Sequence, residues 1–150
     1  MTILKQSLYD ACKQTIRQRI NLLQQSIHDA QQSANEETKS SAGDKYETGR
    51  AMAQLEIEKF ASQLAELNKQ DQELSRINPG LQESHIIPGS LIHTNQGSFF
   101  IAVNAGEIVV DGRKIFTISP QAPIAQKMFG LSDRDSFVLN GRSFTISSIE

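Results

Sequence analysis

The sequence of 150 residues is short of several things, and each shortage narrows what the chain can be. It has one cysteine, Cys12, which excludes an internal disulfide framework and any zinc site built from several thiolates. It has no tryptophan and only 6% aromatic residues, so a core must be built mainly from Ile, Leu, Val and seven Phe. Apolar stretches are a few residues long, too short to span a bilayer, and no membrane role is expected. Residues 1–20 alternate charge and apolarity where a secretory signal would show a basic tip and an apolar run, so a cytoplasmic location is expected. Neither sign of charge dominates: 15 Lys+Arg against 17 Asp+Glu give a net charge of -2. That balance suits neither a nucleic-acid binder driven by bulk positive charge nor a disordered acidic tail, and sequence-specific DNA binding is not expected.

Other absences are local. Residues 1–78 contain no proline and only two glycines, Gly43 and Gly49, among many Gln, Glu, Lys, Ala and Leu. These are good or tolerable helix formers, so this half reads as helix. Residues 79–150 hold all four prolines and the other seven glycines, with runs of Ile, Val, Phe, Thr and Ser that suit pleated sheet. Asn78-Pro79-Gly80 stops the helix and Ile86-Ile87-Pro88-Gly89 opens the next unit. The expected organisation is therefore a helical region over 1–78, a linker over 79–88 and a sheet domain over 89–150. Charge does not separate the halves, which carry 10 basic and 11 acidic residues against 5 and 6.

In the first half, Leu8, Cys12, Ile16, Ile20, Leu23, Ile27, Ala30 and Ala34 recur at steps of three and four, the spacing of one narrow helical stripe. After a break at Ser40-Ser41-Ala42-Gly43, a second series follows at Ala53, Ile57, Phe60, Leu64, Leu67 and Leu74, interrupted by Asp71. A stripe this narrow covers one partner helix, so the economical arrangement is an antiparallel coiled-coil hairpin turning near residues 35–44. Cys12 falls on the stripe, where a buried inert thiol is expected.

The second half offers strands at Ser90–Asn95, Ser98–Asn104, Glu107–Val110, Arg113–Ile118, Phe137–Asn140 and Ser143–Ile149. Turn chemistry at Gln96-Gly97, Ala105-Gly106, Asp111-Gly112 and Asn140-Gly141 predicts consecutive hairpins and an antiparallel sheet. Ala122 to Gly130 differs, with Pro123 near a helix start, Ile124, Met128 and Phe129 as its apolar side, and Gly130 just past its end. One short helix covering a face of the sheet is expected. The fold class is thus α+β.

Gly43-Asp44-Lys45-Tyr46-Glu47 stands at the turn and the start of the second arm. Three residues apart on a helix, Asp44 and Glu47 share a face, and two such carboxylates could share a hard cation such as Mg²⁺. An Asp at a helix start also caps it, and a Glu three residues on completes a capping box, so spacing supports both readings.

With these features the chain resembles the Gre transcript-cleavage factors, the transcription elongation factors of bacterial RNA polymerase. Gly43-Asp44 followed by Glu47 matches the family's Gly-Asp-x-x-Glu at the tip of an N-terminal coiled coil. The segment Ile118-Ser119-Pro120-Gln121-Ala122-Pro123-Ile124-Ala125, continuing to Gly130, resembles the family's Ile-Ser-x-x-Ser-Pro-Ile-Ala pattern and its later glycine. The resemblance implies a C-terminal domain of FKBP-like fold that docks on the polymerase, through Pro123, Ile124, Ala125 and Gly130 of the motif. It implies a coiled coil inserted in the secondary channel, where Asp44 and Glu47 help hold Mg²⁺ at the polymerase active site while backtracked RNA is hydrolysed near its 3′ end. Lys45, Tyr46 and Arg50 would be tip contacts. Such a factor is a catalytic accessory, not expected to be active alone and holding no tightly bound cofactor of its own.

The tip also departs from the pattern. The family continues with Asn-Ala-Glu-Tyr, this chain with Thr48-Gly49-Arg50-Ala51, and a second register aligns Asp44-Lys45-Tyr46 with Ala-Glu-Tyr. A non-cleaving regulator or inhibitor of the same shape, bound in the same channel, is therefore the alternative function. A peptide-binding adaptor is a third. His28, His85 and His93 lack metal-ligand spacing, and no phosphate-binding glycine loop or Ser/His/Asp arrangement is evident.

Overall fold

A computed structural model describes residues 2–40 and 44–150, with side chains described for 4–36 and 48–150. Two helices come first, α1 (Thr2–Ser40) and α2 (Asp44–Ser75). Six strands and a short helix follow: β1 (Leu91–Thr94), β2 (Gly97–Ile101), β3 (Glu107–Val110), β4 (Arg113–Ile118), α3 (Pro123–Met128), β5 (Ser136–Leu139) and β6 (Arg142–Ile149). The expected α+β organisation, a helical hairpin and then a sheet with one short helix, is what the chain forms. α1 runs on to Ser40, past residue 35 where the sequence pattern began the turn. The chain divides into two compact units, one of residues 16–71 and one of residues 1–15 with 72–150.

In the first of these units the hairpin is antiparallel. Ser26, Asp29, Ala30 and Ser33 share a groove with Ala53, Glu56 and Phe60, while Gln31, Ala34 and Asn35, further along α1, meet the earlier Arg50, Gln54 and Ile57 of α2. The stripe positions are the protected ones, as the spacing required. Ile16 and Ala30 are buried and Ile20, Leu23, Ile27, Ala34, Ala53, Ile57, Phe60, Leu64 and Leu67 are half-buried. Two helices have only one seam between them, so apolar residues off the seam stay in solvent: Leu22 is 69% exposed, Met52 64% and Leu55 62%.

In the other unit the strands form one sheet in the order β3-β4-β2-β1-β6-β5. Asp111 and Asn140 both adopt positive φ ahead of a glycine, giving the primed turns that tighten the β3–β4 and β5–β6 hairpins. One pair departs from the all-antiparallel expectation. β2 and β4 run parallel, with Ser98 beside Ile115 and Ile101 beside Ile118, so the sheet is mixed. Ala105-Gly106 does not close a β2–β3 hairpin because the buried Thr117 of β4 holds it elsewhere. The Ala105 amide donates to Thr117 Oγ1 at 2.8 Å, and Thr117 Oγ1 donates to the Gly106 carbonyl at 2.6 Å. The loop is thereby pinned to β4, and β3 folds onto the outer edge of that strand.

Both faces of the central strands are buried. Ile92, Phe99 and Ile101 lie on the face that α3 covers, in a cluster with Ala125, Met128, Phe137, Phe144 and Ile146. Within it Phe137 and Phe144 stack at 4.8 Å and Phe144 meets Phe99 edge-on. Leu91, Phe100 and Ile115 alternate to the opposite face and have no exposed surface either. Leu8, Cys12 and Leu74 of the helix ends, which belong to the same unit, are also fully buried. Polar ties fix those ends: Lys5 Nζ donates to the Leu81 carbonyl at 2.7 Å, and Tyr9 Oη to the Leu74 carbonyl at 2.9 Å. Burial holds the Lys5 ammonium below its ordinary pKa, against the opposing pull of Glu150. Gly89 sits where residue 77 passes close by. A Cβ there would lie 2.7 Å from Ile77 Cγ2, and its φ of +94° suits glycine alone.

This packing has three measurable consequences. Thr117→Val removes both loop hydrogen bonds and strands the Ala105 amide, so unfolding by urea should show a loss of about 1–3 kcal/mol, with Thr117→Ser losing less. Cys12 is fully buried and its thiol is pushed up to about 12 by that burial. Iodoacetamide should leave it unmodified in the native chain and alkylate it in urea. Because the folded value is raised, the thiol's contribution to stability is complete below the unfolded pKa, about 8.5, and is lost as pH rises from there toward the folded value. The stability advantage of wild type over Cys12→Ala should narrow over that alkaline range.

Candidate functional site

The acidic motif falls at the start of α2. Asp44 is the first residue of the helix and Glu47 lies within its first turn, three positions on. Gly43 and the side chains of Asp44, Lys45, Tyr46 and Glu47 lie outside the described residues. Beyond them α2 continues without interruption through Thr48, Gly49 and Arg50, so the helix tolerates Gly49. Arg50 is exposed and lines the shallow groove with Gln31 and Asn35 of α1. Among the described residues no cluster of three or more His, Cys, Asp or Glu side chains could hold a metal ion. No helix among them is long and apolar enough to cross a membrane.

The second motif folds as a strand end, a turn and a helix. After β4 ends at Ile118, Ser119 Oγ accepts the Gln121 amide at 3.1 Å and donates to Gln121 Oε1 at 2.7 Å. Gln126 reaches back from α3 to donate to the Pro120 carbonyl at 2.7 Å, tying the turn to the helix. Pro123 occupies the first turn, where its missing N–H costs nothing. At the other end the Gly130 amide donates to the Ile86 carbonyl at 3.1 Å and the Ile86 amide to the Leu131 carbonyl at 2.8 Å, so the segment before β1 is strapped to the end of α3. Of the four residues singled out in this motif, Ala125 is fully buried and Ile124 packs against the core. Pro123 and Gly130 are the exposed members, available to a partner.

Beside this turn lies a groove of about 350 Å³ that sequence patterns did not reveal. Ile77, Leu81, Pro88, Ala102 and Pro120 give it an apolar lining, with Glu73, Arg76, Asn78 and Gln121 adding polar groups. Its residues come from four separated stretches of chain, and no periodicity or spacing marks them as neighbours.

The motif's helix start carries a readable defect. Ala122 is the N-cap, with extended backbone and no side-chain cap, where the Gre pattern has serine. Ala122→Ser restores an oxygen acceptor for the free amides of the first turn. It should raise stability by about 1 kcal/mol in urea unfolding, with no change in the far-ultraviolet spectrum.

No protein-family model matches the chain, and no curated protein matches it. Among solved structures, that of the transcription factor Gfh1 is similar over 91% of this chain and 92% of that one, at 18% identity and a TM-score of 0.36. A likeness of that size assigns neither a family nor a function.

Proposed function

We propose that the chain is a Gre-like transcription elongation factor that binds bacterial RNA polymerase, places its helical hairpin in the secondary channel and stimulates Mg²⁺-dependent cleavage of backtracked RNA. The observation that carries this reading is the coincidence of two motifs with two places in the fold. The Gly-Asp-x-x-Glu acids start the second arm of a helical hairpin, and the Ile118–Gly130 segment forms the turn and helix that cover the sheet. The two motifs lie in separate parts of the sequence, and the reading is supported by both together.

Asp44 and Glu47 supply hard oxygen donors, the type that Mg²⁺ takes one or two of while keeping water or phosphate in its remaining positions. Held in the polymerase, such an ion activates water for attack on a phosphodiester. In this reading the chain's own part is to bring the two carboxylates to that ion, with Lys45, Tyr46 and Arg50 contacting polymerase or RNA around them. Near-neutral charge in both halves leaves recognition of the polymerase to shape and to local surface, including Pro123 and Gly130.

A cleavage assay on stalled elongation complexes tests the proposal. Wild type should shorten the backtracked transcript, and Asp44→Ala with Glu47→Ala should reduce the stimulated rate by about 10- to 100-fold while leaving polymerase binding intact. A double variant as active as wild type sinks the assignment of these acids. Binding without cleavage by wild type would instead establish the non-cleaving channel regulator, and failure to co-purify with polymerase core would remove both.

A further inference from the structure

Three polar side chains on the sheet of the 72–150 region meet in a way that the sequence did not announce. His93 lies on β1, Ser98 opposite it on β2, and Glu150 just beyond β6. Ser98 Oγ is 2.8 Å from His93 Nδ1, and His93 Nε2 is 2.7 Å from Glu150 Oε2. The backbone holds all three in place. His93 and Ser98 are direct cross-strand partners, and Glu150 exchanges both of its main-chain hydrogen bonds with Leu91, two residues from His93 on the same face of β1. Ser147 Oγ adds a hydrogen bond to the His93 carbonyl at 2.9 Å. The His93 and Glu150 side chains are 23% and 22% exposed, so both are sheltered without being fully enclosed.

The order of partners fixes where the proton lies. Burial alone would raise the Glu150 carboxyl, but its hydrogen-bonded and charged neighbours, His93 first among them, bring it below the ordinary range. As a carboxylate it can only accept, so a neutral His93 carries its proton on Nε2 and presents the bare Nδ1 to Ser98. The Ser98 hydroxyl therefore donates to a nitrogen placed to take its proton. This is the arrangement of nucleophile, base and orienting acid, with the two ring nitrogens in exchanged roles.

We propose that Ser98, His93 and Glu150 form a nucleophilic site that accepts acyl groups from small uncharged esters. A small uncharged substrate suits these surroundings, which are partly sheltered and carry the Glu150 carboxylate. In the first step Ser98 Oγ bonds to the carbonyl carbon and its proton passes to His93 Nδ1. The carbon–oxygen bond to the alcohol then breaks, and the alcohol leaves with that proton. Water next adds to the acyl-serine, giving a proton to Nδ1. Ser98 Oγ departs with it, and the sum is ester plus water to acid plus alcohol, with no redox partner. Glu150 acts on the reaction through its hydrogen bond to His93 and is a positioning residue.

The full-length chain treated with an alkyl fluorophosphonate, followed by intact mass and peptide mapping, decides the matter. The expected result is a single adduct on Ser98, absent in Ser98→Ala and absent in wild type unfolded in urea. His93→Gln should slow labelling by on the order of 100-fold and Glu150→Gln by a smaller factor, with thermal melts confirming that both variants fold. Hydrolysis of p-nitrophenyl acetate should fall to the buffer rate in Ser98→Ala. An unlabelled Ser98 in native wild type, under conditions that saturate a known serine hydrolase, overturns the proposal without recourse to any variant. Labelling of folded His93→Gln at the wild-type rate overturns it equally.

Discussion

A six-stranded sheet with apolar side chains on both faces needs two covers, and the region after the hairpin makes only one. α3 is six residues long and shields Ile92, Phe99 and Ile101. Leu91, Phe100 and Ile115 must be shielded by something else, and full burial of residues this large is worth roughly 1.5–3 kcal/mol each. The ends of α1 and α2 belong to the same compact unit, residues 1–15 with 72–150, and their Leu8, Cys12 and Leu74 are fully buried there. The buried Lys5 follows from the same constraint. Its stem is packed at the helix end while its ammonium, with 3% of the residue exposed, reaches the Leu81 carbonyl.

Much of this was legible in the sequence because the signals were local. Steps of three and four along Leu8 to Ala34 are a property of one helix, and the burial of Ile16 and Ala30 reproduces them. Asp111-Gly112 and Asn140-Gly141 specify their turns without help from the rest of the chain. The parallel pairing of β2 with β4 was not legible, since it depends on Thr117 capturing a loop eleven and twelve residues away. Nor was the strap between Ile86 and the end of α3, which turns part of the presumed linker into core.

The sites divide along the same line. Spacing brought Asp44 and Glu47 into one helical turn, and the backbone agrees. In the α3 motif, resemblance grouped four residues that burial separates, with Ala125 serving the core and Pro123 and Gly130 facing outward. Ser98, His93 and Glu150 leave no mark in the sequence because His93 and Glu150 are 57 positions apart, and only the pairing of β1 with β6 makes them neighbours. A motif read along the chain records what a segment must be. Contacts across a sheet record where segments end up, and a single sequence carries little of that.

The bond from Lys5 to Leu81 spans 76 positions, and this separation has a consequence for how the chain is made. On the ribosome, residues 1–15 emerge before residues 72–150, with which they form one unit. The hairpin over 16–71 closes through contacts nested about its own turn, so it can form while synthesis continues. Leu8 and Cys12 reach full burial in the unit that residues 72–150 complete. Such distant pairings carry a large loop-closure entropy and form slowly. Residues 1–15 are thus made well before the stretch that completes their unit, and in that interval their apolar side chains depend on other cover.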